Sequence, residues 1–239
     1  MLTAESEGGQ VKCHPYWGDG RYGPLALMRN SEKHVLLEKG DPNDSSAPHI
    51  IVRRFYLRHS HQPFHPVREI VQLQYASWAD FGTPAHPAHI VALIKYTETI
   101  VGSTQGQGSA NCSTLSPSLA LPPASGQRPI IVHCSAGCGR TGVFCAVDTA
   151  INMMRRQQQY RQHRNPAATS REYSPDAASP AESGDNEWMD RDDEDLICQV
   201  VSEFRHQRMS MVQNLRQFVL CYDTVLEWVS QTSGERLSV

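Results

Sequence analysis

Cys134 and Arg140 are the residues of this sequence best suited to chemistry. They lie in Ile130-Ile131-Val132-His133-Cys134-Ser135-Ala136-Gly137-Cys138-Gly139-Arg140-Thr141-Gly142, where five residues separate a thiol from a guanidinium. The β-branched run at 130–132 predicts a buried strand, and Val143, Phe144, Val147, Ala150, Ile151 and Met154 recur at helical spacing. The turn between them falls at a helix N-terminus, where unpaired N–H groups and the helix dipole favour an anion. Glycines at 137, 139 and 142 let successive N–H groups curl inward as a nest. The loop can carry Arg140 round the anion to face the cysteine, offering a planar fork to two phosphate oxygens. In such a field a cysteine pKa falls from about 8.5 to roughly 3.5–7.5. Cys134 is therefore expected to be a thiolate nucleophile toward phosphorus, with the Thr141 hydroxyl beside it to ease its departure.

Plainer accounts fit less well. A single cysteine is most often a buried small hydrophobe. Three glycines at required positions, at a usage of about 7% each, coincide by chance about once in several thousand, and His133, Cys134, Arg140 and Thr141 add to that. A zinc site at His133, Cys134 and Cys138 lacks the usual second pair of ligands.

Further segments complete a resemblance. Trp78-Ala79-Asp80-Phe81-Gly82-Thr83-Pro84, Met211-Val212-Gln213-Asn214-Leu215-Arg216-Gln217, and Glu7 with Lys12-Cys13 and Tyr16-Trp17 follow in order around the cysteine loop. Together they resemble the phosphotyrosine-specific, cysteine-dependent protein tyrosine phosphatases, fungal members most of all. The resemblance runs from the first residues to about Val229, apart from insertions. It implies a twisted mixed β-sheet flanked by helices, an α/β (α+β) fold, and hydrolysis of phosphotyrosine in proteins through a cysteinyl-phosphate, with no cofactor or metal.

By resemblance, Asp80 is the acid that protonates the departing phenolate, a contribution of roughly 10²–10⁴-fold. Gln213 and Gln217 position the water that cleaves the intermediate, since an amide both donates and accepts. Ser135, Ala136, Gly137, Cys138, Gly139 and Arg140 bind the phosphate, with Phe81 and Gln217 at its margin. His133 and Trp78 are supporting residues. Glu7 is expected to hold the Arg140 guanidinium by a carboxylate fork, and Lys12 to meet the closed acid loop. The family usually has proline where this chain has Ala79. Proline restricts φ, so alanine gives the open loop more states to lose on closing, an effect on rate and not on the reaction. The tryptophan-containing acid loop and the paired glutamines argue against a dual-specificity phosphatase, which uses the same thiolate loop.

Composition sets the frame. At 239 residues and 39% hydrophobic, a single domain with a real core is expected, and a net charge of −3 speaks against nucleic acid as a partner. No apolar run approaches membrane-spanning length, and the first residues carry no apolar leader, so a cytoplasmic protein is the expectation. Cys13, Cys112, Cys134, Cys138, Cys145, Cys198 and Cys221 form no disulfide-like framework. Cys138 reads as a loop spacer.

Strands are predicted over 34–38, 50–57 and 70–75, and a helix over 87–100. Leu196, Ile197, Val200, Val201 and Phe204 form one helical stripe; Leu215, Phe218, Val219, Tyr222, Val225, Leu226 and Val229 form another. The domain core is assigned to 1–101, 128–156 and 192–230. A Gly/Ser/Pro/Gln-rich insertion occupies 102–127, and a second, expected to be disordered, occupies 157–191. The second contains Ser174-Pro175 and Ser179-Pro180, read as parts of a solvated linker. Family domains carry more sequence ahead of the Glu7 segment, including an Asn-Arg-Tyr loop whose tyrosine packs on the substrate ring. Tyr16 and Tyr22 fall in the wrong place to replace it, so the chain is expected to be the later part of such a domain. The alternative to an enzyme is a fragment that at most binds phosphate or another protein.

Overall fold

Alternating burial along His49–His59 organises the sheet: Ile50 and Val52 turn to the helices, while Phe55 packs on the other side with Trp17 and Met1. The computed structural model describes residues 1–38, 47–62, 64, 66–105, 129–164, 187–189, 191 and 193–237. In chain order the strands are β1 (Ser6–Glu7), β2 (Gln10–Val11), β3 (Gly20–Tyr22), β4 (Leu25–Leu36), β5 (His49–His59) and β6 (Arg68–Gln74). The helices are α1 (Ala88–Gln105), α2 (Gly139–Arg164), α3 (Leu196–Gln207) and α4 (Leu215–Leu237).

β3-β4-β5-β6 form an antiparallel sheet in that order, with a register shift between Arg29 and Ser31. The first residue adds a parallel pattern: the Met1 amine donates to Leu73 O (2.8 Å) and its carbonyl accepts from Tyr75 N–H (2.9 Å). Leu2 N–H then reaches His133 O at 2.8 Å. Sheet and helices meet in one core, where α2 contributes Val143, Ala146, Val147, Ala150 and Ile151 between α3 and α4. The α3 stripe supplies Ile197, Val200 and Val201 to it, with Phe204 packed alongside. The α4 stripe is corrected in part: Val225 is buried and Phe218, Tyr222 and Val229 pack against the core, but Leu215, Val219 and Leu226 are exposed, and Leu220, Cys221 and Trp228 fill the core from this helix. α3 is capped by Asp195, whose Oδ1 accepts from Cys198 N–H at 2.9 Å, a bond worth about 1 kcal/mol.

Two further expectations are corrected. Residues 130–132 are not a strand, and Ile130 and Ile131 are exposed. β-branched side chains favour extended backbone, but a strand needs a ladder, and the neighbouring backbone bond falls one residue later, from Leu2 N–H to His133 O. α2 continues to Arg164, so the second insertion begins later than position 157. At its far end Glu187–Met189 forms a 3₁₀ turn, with Met189 buried and Trp188 O accepting from Gln157 Nε2 at 3.1 Å. Most of both insertions, with Ser174, Ser179 and Cys112, lies outside the described residues. No described helix is long and apolar enough to cross a membrane.

The segment ahead of the sheet is held by a buried charge. Arg53 donates to Glu32 (2.6 Å), Gln72 (3.0 Å) and Gln74 (2.7 Å) and lies 4.9 Å from the Trp17 ring centroid. A buried guanidinium needs this degree of pairing, and the stack fixes Trp17 and, beside it, Tyr16. Gly8 and Gly9 have φ of 56° and 78°. They are the two-residue turn between β1 and β2, a conformation that matches strand twist and favours glycine. That hairpin sets Glu7 on one leg and leads to Lys12 on the other.

Candidate active site

The loop 134–138 enters α2 at Gly139, and its sulfur sits at the helix's open N-terminus. Gly137 has φ 70°, which turns its N–H inward. Cys134 is buried, which by itself raises a thiol pKa. The Thr141 hydroxyl and the N–H groups of Thr141, Cys138 and Gly137 outweigh burial, so the pKa lies below the ordinary thiol value. Thr141 Oγ1 is buried without a hydrogen-bond partner of full geometry among the described residues, so its hydroxyl is free to serve the sulfur whose pKa it lowers. Ser135 and Ala136 form the exposed rim.

His133 is locked from both sides. Nδ1 lies 3.1 Å from Cys134 O and Nε2 2.7 Å from the Tyr16 hydroxyl, which accepts from Gln72 Nε2 at 3.0 Å. A carbonyl only accepts, so Nδ1 carries the proton and Nε2 receives the Tyr16 O–H. Burial lowers the His133 pKa, in keeping with this neutral tautomer. Both ring nitrogens are thus committed, and the sulfur of Cys138 faces Arg208 Nε at 3.1 Å.

Arg140 has a side chain with no exposed surface. Nη1 donates to Glu7 Oε1 (2.5 Å) and Trp78 O (2.6 Å), and Nη2 to Asp80 Oδ1 (3.2 Å). Its Nε is buried without a partner in the described residues, a donor left open. Glu7 does not grip Arg140 as a two-oxygen fork. Its second oxygen accepts from Asp80 N–H at 2.9 Å, so one carboxylate ties the arginine to the acid loop. Burial pushes the Glu7 pKa up, but hydrogen bonds from Arg140, Asp80 N–H and Thr3 bring it below the usual carboxylate value.

Asp80 is held from two sides, by Arg140 and by Lys12 Nζ at 2.9 Å. Trp78 is fully buried and donates Nε1–H to Gly82 O at 2.9 Å, while Gly82 N–H returns to Ala79 O at 3.2 Å. These bonds shape the loop 78–84, and Arg140 ties it to the phosphate loop through Trp78 O and Asp80. Phe81, at φ 56°, stands exposed beside it.

The two glutamines meet at Gly139. A Cβ there would lie 2.5 Å from Gln213 Oε1 and 2.9 Å from Gln217 Nε2. Gln217 is fully buried, accepts from Gln213 N–H at 3.0 Å, and has an Nε2 with no partner in the described residues. The loops are also pressed together at Gly142, where a Cβ would lie 2.4 Å from Val212 N. Backbone cannot rotate away as a side chain can. Gly142→Ala should therefore destabilise the fold by about 1–3 kcal/mol, despite a helix-propensity gain of about 1 kcal/mol. A urea melt reads this directly, and an unchanged midpoint would mean that the contact relaxes.

Tyr16, Arg208 and Asn214 are site residues that the sequence reading did not assign. Arg208 Nη2 donates to Ala136 O at 2.8 Å and braces the back of the loop. Asn214 Nδ2 donates to Phe81 O at 3.0 Å. Nothing in their local spacing marks them; each becomes visible only when distant segments meet. Tyr22, by contrast, bonds Gly18 O.

The profile of the protein-tyrosine phosphatase family matches residues 1–172 and 186–227, and so covers every element of this site. The chain belongs to the protein-tyrosine phosphatase family. This phosphatase-family chain is 30% identical over 231 residues to human tyrosine-protein phosphatase non-receptor type 20, covering 95% of the chain and 38% of the relative. It is 28% identical over 231 residues to tyrosine-protein phosphatase 1 of Schizosaccharomyces pombe, covering 94% and 31%. These near-equal identities do not single out the fungal kinship that the sequence suggests. The catalytic domain of human protein tyrosine phosphatase non-receptor type 18 superposes with a TM-score of 0.59 at 25% identity, over 95% of this chain and 58% of that one. The same phosphatase in complex with HER2 phosphopeptides gives 0.55 over 95% and 60%. The chain thus spans about a third of these curated relatives and under two thirds of the solved domains.

Proposed function

We propose that this chain hydrolyses phosphotyrosine in proteins through a cysteinyl-phosphate intermediate. The observation that carries the reading is the placement of Cys134 at the N-terminus of α2, where the Thr141 hydroxyl and loop N–H groups lower its pKa, in one site with Arg140 and, through it, Asp80.

In the first step the Cys134 sulfur forms a bond to phosphorus as the bond to the tyrosyl oxygen breaks. Asp80 gives its proton to that oxygen. The loop N–H groups and Arg140 hold the phosphoryl oxygens, whose charge spreads in a loose transition state. In the second step water attacks phosphorus, oriented by Gln213 with Gln217 behind it. Asp80 takes the water's proton and the sulfur leaves as thiolate, eased by the Thr141 hydroxyl. His133, fixed by Tyr16, holds the Cys134 carbonyl. No step calls for a metal or cofactor. The non-receptor designation of the human relatives favours a cytoplasmic setting for the substrate.

The test is rapid acid quench of the purified chain with a phosphotyrosine peptide. Inorganic phosphate should be released in repeated turnovers, and a transient thiol-phosphate should be found on the peptide that contains Cys134. Binding of the phosphopeptide with no phosphate released would instead favour a phosphate-binding module.

A further inference from the structure

Asn214 stands immediately before α4 and serves as its N-cap: Oδ1 accepts from Gln217 N–H at 2.9 Å, and its carbonyl accepts from Phe218 N–H at 3.0 Å. These bonds fix the side chain. Its other amide atom, Nδ2, is thereby aimed at the carbonyl of Phe81, 3.0 Å away in the acid loop. Trp78 and Asp80 are held from the opposite wall, by Glu7, Lys12 and Arg140. Phe81 has φ 56°, a left-handed conformation that is strained for a side-chain-bearing residue. A strained residue of this kind persists when its surroundings hold it.

We propose that Asn214 is a positioning residue that latches the acid loop closed, using a single amide to cap α4 and to hold the Phe81 carbonyl, and so governs how often Asp80 stands over the thiolate. The role in turnover rests on the phosphatase reading above; the latch itself does not. Serine, threonine and aspartate cap helices as well as asparagine does. Aspartate, however, has no hydrogen to give to a carbonyl when ionised, and serine is too short to accept from Gln217 while reaching Phe81. The residue type is therefore matched to both tasks. Ala79 makes the latch more consequential, because a loop without proline draws its closed state from a larger set of open ones.

Asn214→Asp and Asn214→Ser, made in the full chain, keep the cap and remove the latch. Hydrogen exchange of the amides at 78–84 should accelerate about fivefold, as expected for losing one net hydrogen bond, while α4 exchange and the melting temperature hold. In a series of aryl phosphates, turnover should fall about fivefold for weakly acidic phenols and little for strongly acidic ones, since the former depend more on a proton donor. In an Asp80→Asn background neither Asn214 substitution should cost anything further. Unchanged exchange at 78–84 in both variants would overturn the latch whether or not the chain turns over. So would equal acceleration throughout α4, which would assign the effect to the cap alone. Faster loop exchange in a chain that releases no phosphate supports the latch and sinks the phosphatase reading.

Discussion

Cys134→Ser is expected to lower turnover on the order of 10⁵-fold, equivalent to about 7 kcal/mol of transition-state stabilisation. The loop is built for a sulfur anion. The Thr141 hydroxyl and the N–H groups of Thr141, Cys138 and Gly137 lower the thiol pKa against the opposing effect of burial. A serine hydroxyl is not an anion near neutral pH, and the basic groups in contact with this loop are occupied: His133 has both ring nitrogens bonded, and Glu7 is shared between Arg140 and Asp80 N–H. Phosphate binding should survive, because the loop N–H groups and Arg140 are unchanged; calorimetry with inorganic phosphate reads that separately. Turnover retained within tenfold would mean that Cys134 is not the nucleophile.

The same shift has a consequence for stability. Folding depresses the Cys134 pKa, so the folded state binds fewer protons at this sulfur than the unfolded chain does. The resulting stabilisation is fully present above the unfolded thiol pKa of about 8.5 and is lost as pH falls through the folded value. The stability advantage of the wild-type chain over Cys134→Ser should accordingly grow from acid toward alkaline pH in denaturant melts.

Arg140→Lys should cost about 10³-fold in kcat/KM, more than its conserved charge suggests. Removing one preorganised donor to a developing charge costs about 10²–10³-fold, and here a single guanidinium does two things. It offers a buried Nε that has no partner among the described residues, and it binds Glu7, Trp78 O and Asp80 through its terminal nitrogens. A lysine ammonium is a point charge without the planar fork. It cannot span those partners at once, so both phosphate binding and acid-loop closure are lost together. The expected signature is weaker binding of inorganic phosphate combined with faster hydrogen exchange at 78–84. A loss below tenfold in kcat/KM, in a variant that melts as the wild type does, would remove Arg140 from this role.

Local chemistry was legible in the sequence wherever a function is carried by consecutive residues. Cys134 to Thr141 form a continuous loop whose glycines, thiol and guanidinium announce an anion site, and the structure brings Asp80, Glu7, Lys12, Gln213 and Gln217 to it. The α3 stripe was legible too, since the 3.6-residue period is a property of the chain itself. In α4, by contrast, apolar residues lie on more than one face, and packing left Leu215, Val219 and Leu226 exposed while burying Leu220 and Trp228. Only the tertiary structure decided the rest. Ile130 to Val132 have strand-forming side chains, yet a strand depends on a partner that no local pattern encodes. Glu7 proved to bridge Arg140 and Asp80 because a two-glycine hairpin set its height above the loop. Gly139 and Gly142 read as turn glycines, but their necessity comes from Gln213, Gln217 and Val212, some seventy positions away along the chain. Tyr16 and Asn214 carry ordinary side chains whose meaning lies in the hydrogen atom each can give, and that depends on which acceptor a distant segment presents.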